Sequence, residues 1–216
     1  MEFNYIADGI DAVVIDNFYS EDQLARIMEE LKWVTKKEIM VGPDELNTAE
    51  NEHGTMAKKT GVFLETIFQN WQHSALIKYP MDNFTKPEVR KKIEQFNSLY
   101  RILYSCDSRT HLLSYYENAG FYEGHTDSTV FTVLNWFNAK PKQFTGGDMK
   151  LFSFNSSKTA DIEFKHNRVL LIPGCCVHEV SEIKSEINPE TYDGSGRYCN
   201  AIFLNLRGDP REKPKK

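Results

Sequence analysis

The chain has 216 residues, 40% of them hydrophobic, and its formal net charge at pH 7 is −5. This length and apolar content allow one buried core, so we expect a single domain over residues 1–216. The acidic balance argues against a nucleic-acid partner, because phosphate binding needs clustered Lys and Arg. No apolar run reaches the length of a membrane span, which argues against a membrane protein.

The start of the chain and its cysteines indicate the compartment. No positively charged start leads into an apolar stretch, so no secretory signal is predicted. The four cysteines include the adjacent pair Cys175 and Cys176, whose bridging would be strained. We expect packing roles for the cysteines, with neither a disulfide framework nor a zinc site. A reducing, cytoplasmic location is therefore the expectation.

The first part of the chain, residues 1–109, is predicted to form mainly helical support and a lid region. A capping box at residues 20–23 precedes an apolar stripe at helical spacing, which predicts a helix directly after it. A second, longer helix is predicted after Thr85, with a stripe that runs to Leu103. Between the two, residues 41–60 are polar and rich in turn signals. They predict a mobile loop or an active-site lid, with a plain disordered excursion as the alternative.

The second part, residues 110–207, is predicted to be the core of a barrel, followed by a solvated tail at residues 208–216. Short strand-like runs alternate with turns rich in Gly, Pro and Asn, which is typical of antiparallel barrels and sandwiches. The predicted strands cover residues 110–116, 129–137, 149–154, 161–164, 168–172, 177–183 and 197–206.

Two histidines and an aspartate carry the chemistry that the sequence predicts. In an extended strand, residues i and i+2 share a face, so His125 and Asp127 are expected to point the same way. His178 would join them from another strand. Two imidazoles and one carboxylate on one side of an ion leave coordination positions open, which is the facial triad of a non-haem Fe(II) oxygenase.

Further motifs surround these three residues in a set order. They are Tyr115, ten residues before His125; the Gly-Gly-Asp-Met-Lys-Leu step at residues 146–151; the Pro-Gly-x-x-x-His-x-Val run at residues 173–180; and the Gly-Arg-Tyr opening at residues 196–198. With these motifs the sequence resembles the 2-oxoglutarate/Fe(II)-dependent oxygenases, most closely the prolyl-4-hydroxylase-like branch. The resemblance implies a mostly β fold with flanking helices. Its barrel would be a double-stranded β-helix of the jelly-roll or cupin-like type, with helices packed on one outer face.

The resemblance also implies a cofactor and a reaction. His125, Asp127 and His178 would bind Fe(II) as the catalytic metal. The cosubstrate 2-oxoglutarate would occupy two of the open positions and dioxygen the third, and hydroxylation of the substrate would release succinate and CO2. Ascorbate is left open as an auxiliary reductant.

One cation and two tyrosines complete the predicted site. Arg197 is predicted to bind the distal carboxylate of 2-oxoglutarate, because a guanidinium forks two parallel donors onto a carboxylate. It lies 19 residues after the distal histidine, a longer interval than the family usually has, and residues 187–194 are interpreted as an insertion. Lys184 is the alternative cation. Tyr115 is expected to assist at 2-oxoglutarate, and Tyr122 to lie near the substrate entrance.

Three functions are compatible with the sequence. The leading hypothesis is hydroxylation of a prolyl residue in a peptide or protein. The alternative within the same chemistry is hydroxylation of a free amino acid or another small molecule, and the shape of the barrel mouth would decide between them. A non-catalytic, cupin-like metal-binding module is the alternative outside enzymes. An organic-acid clamp at Arg197 argues against that module.

Overall fold

The computed structural model describes residues 1–46, 48–51, 54–186 and 194–207, which form two large antiparallel sheets, a two-stranded sheet of Glu50–Asn51 and Gly54–Thr55, and three α-helices. The strands are β1 (Glu2–Ile6), β2 (Ala12–Asp16), β3 (Glu50–Asn51), β4 (Gly54–Thr55), β5 (Ala57–Lys58), β6 (Thr60–Phe63), β7 (Ser108–Tyr116), β8 (Phe121–His125), β9 (Phe131–Asn138), β10 (Met149–Phe152), β11 (Thr159–Ile162), β12 (Arg168–Pro173), β13 (His178–Val180) and β14 (Arg197–Asn205). The helices are α1 (Glu21–Val34), α2 (Ala75–Phe84) and α3 (Pro87–Phe96), with 3-10 helices at Pro43–Leu46, Leu64–Thr66, Trp71–His73 and Ser98–Ser105. In the part of the chain that the structure describes, no helix is long and apolar enough to span a membrane.

The larger sheet has seven strands in the order β1-β2-β12-β9-β14-β7-β6, and the smaller has five in the order β11-β10-β13-β8-β5. All of their pairings are antiparallel. Each strand predicted after residue 110 is present, with its ends shifted by a few residues. The mostly β architecture with flanking helices is thereby confirmed.

Some strands escaped prediction because they are short or polar. The first 109 residues supply β1, β2, β5 and β6 to the sheets, in addition to the helices. Strand β5 has two residues, and β1 buries none of its side chains completely, so neither produces a clear alternating pattern. Strand β8, which carries the first histidine of the motif, is also polar along much of its length.

The side chains of the larger sheet alternate between two apolar clusters. On one face, residues such as Leu113, Val133 and Ile202 pack against Leu24 and Ile27 of α1. On the other face, Leu112, Leu134 and Ala201 belong to the same cluster as Met149 and Leu151 of the smaller sheet. The helices therefore cover one face of the larger sheet, and its other face packs toward the smaller sheet.

The helix termini follow from local chemistry. Ser20 Oγ accepts a hydrogen bond from Gln23 N at 3.3 Å, and Gln23 Oε1 accepts one from Ser20 N at 3.2 Å, so the capping box that starts α1 is confirmed. The longer helix predicted to reach Leu103 is wrong, because α3 ends at Phe96. Asn97 is extended, with φ −153°, and its side chain caps the 3-10 helix that follows.

Candidate active site

Two neighbouring strands of the smaller sheet bring the histidines together. His125 is the last residue of β8 and His178 the first of β13, and they face each other in the pairing register. The Nε2 atoms of both histidines lie 3.7 Å from oxygens of Asp127, His125 from Oδ1 and His178 from Oδ2. The potential ligand atoms of the three side chains all lie within 4.8 Å of one another. This is a separation that one metal ion can bridge.

Asp127 reaches this point by a different route from the one predicted. Strand β8 ends at His125, so Asp127 is not two residues along the same strand but in the loop that follows. Its backbone N–H donates to the carbonyl of Gly174 at 3.0 Å, which ties this loop to the turn before His178. A side chain at Gly174 would collide with Thr129, since its Cβ would lie 2.0 Å from the Thr129 carbonyl oxygen. The glycine after Pro173 thus permits the close approach of the two loops.

The histidines are held in the tautomer that a metal needs. Nδ1 of His125 lies 2.8 Å from the Glu123 carbonyl, and Nδ1 of His178 lies 3.0 Å from the Cys176 carbonyl. A carbonyl can only accept, so each Nδ1 carries the proton and each Nε2 presents a lone pair toward Asp127. Burial, reinforced by His178, lowers the pKa of His125 to about 4, which keeps the ring neutral at pH 7.

Asp127 is oriented by a neighbouring strand. The hydroxyl of Thr132, on β9, donates to Asp127 Oδ2 at 2.6 Å, and the Thr129 hydroxyl lies 3.0 Å from that of Thr132. The oxygen that Thr132 contacts is the one nearer His178, and the other oxygen, Oδ1, is the one nearer His125. Nothing in the sequence distinguished Thr132 from the other threonines, because its partner comes from an adjacent loop.

Arg197 is completely buried at the start of β14, with two of its three guanidinium nitrogens unpaired among the described residues. Its Nε donates to the Gly147 carbonyl at 2.9 Å, while no described residue offers a hydrogen-bond partner to Nη1 or Nη2. The rings of Tyr116, Trp136 and Phe164 surround the guanidinium at 5.0, 5.3 and 5.2 Å. An aromatic cage holds the cation in place, and its two free nitrogens form a fork suited to a carboxylate.

One cavity of about 480 Å³ is lined both by Arg197 and by the three candidate metal ligands, His125, Asp127 and His178. Alternate residues of β14 line this cavity, as the strand period predicts, and beyond Arg197 they include the small Cys199 and Ala201. The alternative cation, Lys184, is exposed and does not line the cavity. Most of the segment interpreted as an insertion, residues 187–193, lies outside the described residues.

The prediction for Tyr115 is wrong by one residue. Its ring packs in the cluster on the helical face of the larger sheet, 4.9 Å from the ring of Tyr198, and its hydroxyl accepts from Gly196 N at 3.1 Å. The adjacent Tyr116 lines the cavity instead. Successive side chains of a strand point to opposite faces, so only one of two adjacent tyrosines can reach the cavity.

Tyr122, which was predicted to lie near the substrate entrance, lies beside the candidate metal ligands. Its ring stacks on His125 with a centroid distance of 3.5 Å, and its hydroxyl accepts from Ala49 N at 3.3 Å. Ala49 belongs to the polar segment 41–60, part of which forms one wall of the cavity. The location of this part of the segment favours a role at the active site over a plain disordered excursion. A contact between Tyr122 and the substrate stays a prediction.

Lys59 is a cavity residue that the sequence analysis missed. Its side chain is only 9% exposed and its ammonium donates to Ser114 Oγ at 3.4 Å. One lysine beside another in a polar segment carries no sequence signal that separates it from a solvated residue. Only the fold turns it inward.

The comparisons with known proteins identify the domain. Residues 110–204 match the family model described as the 2OG-Fe(II) oxygenase superfamily. These residues form a 2OG-Fe(II) oxygenase domain. No curated protein matches the chain.

The fold of this oxygenase is shared with solved structures over most of the chain. A prolyl-4-hydroxylase of Pseudomonas putida is 16% identical, with 91% of this chain and 93% of that one covered and a TM-score of 0.58. A prolyl hydroxylase from Trichoplax adhaerens, in complex with a hypoxia inducible factor oxygen degradation domain peptide fragment, is 14% identical, with coverages of 90% and 83% and a TM-score of 0.61. The non-heme alpha ketoglutarate dependent epimerase SnoN is 11% identical, with coverages of 91% and 77% and a TM-score of 0.53. At these identities the likeness shows the fold, a double-stranded β-helix.

The residues present fit the cofactors of the family, Fe(II) and 2-oxoglutarate. Neutral imidazoles with one carboxylate are a donor set suited to Fe(II). The buried, unpaired Nη atoms of Arg197 supply a carboxylate site within the same cavity. When bound, the metal and the cosubstrate would supply the electrons that activate dioxygen. Residues 110–204 thus form the domain of a 2-oxoglutarate/Fe(II)-dependent oxygenase.

Proposed function

We propose that this oxygenase hydroxylates a prolyl residue in a peptide or protein, with succinate and CO2 as co-products. The observation that carries the proposal is the meeting, in one cavity, of the His125, Asp127 and His178 donor set with the unpaired guanidinium of Arg197. A metal-binding module without turnover would have no use for a buried organic-acid clamp. Its unpaired guanidinium would only cost folding energy.

The roles of the residues follow from their contacts. His125, Asp127 and His178 would hold Fe(II), with Thr132 orienting the carboxylate. Arg197 would bind the distal carboxylate of 2-oxoglutarate and so fix which end of the molecule meets the metal. The aromatic cage around the guanidinium excludes water, which strengthens the interaction with a carboxylate.

A prolyl substrate is supported by the wall of the cavity and by the fold. The cavity lining includes apolar groups from several elements, which suit the hydrocarbon face of a proline ring. They are Leu46, Phe63, Leu112, Tyr122, Leu134, Val180 and Phe203. The fold resembles two prolyl hydroxylases over nine tenths of the chain, and one of them holds a peptide.

Succinate formation tests the proposal. The purified protein with Fe(II) and 2-oxoglutarate should release succinate in step with hydroxylation of one or more members of a panel of proline-containing peptides. His178→Ala should abolish turnover, whereas His73→Ala, which removes an exposed histidine, should not change it. Robust turnover of free amino acids without any turnover of peptides would replace the prolyl substrate by a small molecule. Undiminished turnover by His178→Ala would defeat the metal site.

A further inference from the structure

Lys59 places a second cation in the active-site cavity. The residue directly precedes β6, and its ammonium lies 4.4 Å from the centroid of the Tyr122 ring, which itself stacks on His125. Its Nζ donates to Ser114 Oγ at 3.4 Å. Lys59 is therefore on the metal side of the cavity, and it is nine-tenths buried.

Among the described residues, Lys59 has no carboxylate partner. Asp127 is the one acidic residue in the cavity lining, and it is engaged by Thr132 and faces both histidines. Ser114 is neutral, and the face of the Tyr122 ring gives only a weak attraction to a cation. Burial lowers the pKa of Lys59 to about 8, so the ammonium form still dominates at pH 7. A buried cation with only neutral partners is costly unless a ligand supplies the opposite charge.

The charges of the cofactors do not account for Lys59. The two positive charges of Fe(II) would be matched by Asp127 together with one carboxylate of 2-oxoglutarate. The remaining carboxylate of 2-oxoglutarate would be matched by Arg197. Lys59 would then be left as one uncompensated positive charge at a buried position of the cavity.

We infer that Lys59 binds a carboxylate of the primary substrate. The substrate is then acidic, a peptide with an Asp or Glu beside the target proline. This inference rests on the proposed function, because it narrows the class of prolyl substrate. The same ammonium could instead meet a carboxylate of 2-oxoglutarate, so the experiment measures the two ligands separately.

The test uses the full chain loaded with Mn(II), which keeps the oxygenase inactive, and isothermal titration calorimetry. The probes are 2-oxoglutarate alone and then, with 2-oxoglutarate bound, pairs of proline peptides that differ only by Asp against Asn next to the proline. The variants are Lys59→Met, which keeps the length of the side chain, and Lys59→Arg, which keeps the charge. Lys58→Met is the matched control, since it removes the same charge from an exposed neighbour.

The wild-type protein should bind the Asp peptide more tightly than the Asn peptide. Lys59→Met should weaken the affinity for the Asp peptide by about tenfold or more and leave the affinity for the Asn peptide unchanged. Lys59→Arg should restore much of the preference, and Lys58→Met should not alter it. Lys59→Met should also unfold at an equal or higher temperature, because it removes a buried charge. Loss of stability together with equal weakening for both peptides would reduce Lys59 to a structural residue and overturn the inference.

Two other outcomes are distinguishable. A tenfold loss of 2-oxoglutarate affinity in Lys59→Met, with the peptide preference intact, would assign the carboxylate to the cosubstrate and overturn the substrate assignment. If no proline peptide binds the wild-type protein, the prolyl proposal fails. Free amino acids then test Lys59 independently of any peptide: aspartate is compared with asparagine, and glutamate with glutamine. If the wild-type protein binds both members of each pair equally, the inference is overturned.

Discussion

Arg197 is the residue whose surroundings define its role most sharply. Three aromatic rings and the Gly147 carbonyl fix the guanidinium, while two nitrogens remain free for a ligand. Loss of a buried, charge-assisted pair costs about 2–5 kcal/mol. We expect Arg197→Ala to raise the KM for 2-oxoglutarate by at least tens of fold, measured as succinate release against cosubstrate concentration. Lys184→Ala is the control, and the same effect from that variant would show that the wrong cation was assigned.

The hydrogen bond from Thr132 is expected to orient Asp127 for metal binding, and removing it tests this role. Its hydroxyl holds Asp127 Oδ2 at 2.6 Å, and Val has the same shape without the donor. Loss of such an outer contact typically costs about 10–100-fold in metal affinity or activity. Thr132→Val should weaken Fe(II) binding within this range, measured by titration of the anaerobic apoprotein. Thr159→Val, at an exposed position on β11 outside the cavity, should leave the Fe(II) affinity unchanged, and a Thr132→Val protein that binds Fe(II) as tightly as this control would remove Thr132 from the site.

At the scale of elements, an ion pair between the buried Arg168 and the partly buried Asp16 joins β12 to β2. Nε and Nη2 of Arg168 donate to the two carboxylate oxygens of Asp16 at 2.6 and 2.7 Å, and Nη1 donates to the Glu163 carbonyl at 2.7 Å. The hydrogen bond from Arg168 holds the pKa of Asp16 below its usual 3.8. In the pairing register Asp16 lies directly opposite Arg168. The ion pair therefore links the hairpin of β1 and β2 to β12 in the larger sheet.

The pair should make stability depend on pH. Because the folded pKa of Asp16 is depressed, its contribution is present above the unfolded pKa near 3.8 and is lost as the pH falls through the lower folded value. Asp16→Asn should lower the free energy of unfolding by about 1–3 kcal/mol at pH 7. The difference from wild type should shrink below pH 4, as measured by urea denaturation at several pH values. A difference that stays constant down to pH 3 would exclude the ion pair as its cause.

For the whole molecule, loops over the barrel mouth are expected to respond to the substrate while the strands hold the metal site. Residues 46, 48, 49 and 59 contribute to the cavity wall, so part of the polar segment 41–60 is in place for this role. Residues 187–194 are predicted to border the same entrance, a prediction that falls mostly outside the described residues.

Hydrogen exchange measures this response. The amides of residues 41–60 and 187–194 should gain protection when a proline-containing peptide accompanies 2-oxoglutarate, and not with 2-oxoglutarate alone. The amides of β9 and β14 serve as the internal reference, because both strands lie inside the larger sheet. Equal protection with and without peptide, combined with turnover of a free amino acid, would favour an enclosed small-molecule site.

The sequence by itself determined the parts of this protein that depend on local chemistry. Residue spacing and composition predicted the strand-rich second half, the capped helix α1 and the donor set of His125, Asp127 and His178. The sequence also singled out Arg197, which the structure buries in the wall of the same cavity. These features are readable because side-chain direction within one strand, or one helix, follows from a fixed period.

The tertiary structure decided everything that depends on a partner from elsewhere in the chain. It placed Asp127 in a loop tied to Gly174, turned Tyr116 rather than Tyr115 toward the cavity, and supported the carboxylate with Thr132. It also drew Lys59 into the site. The physical reason is that register and strand pairing set which face of a strand becomes the interior, and a shift of one residue exchanges the faces.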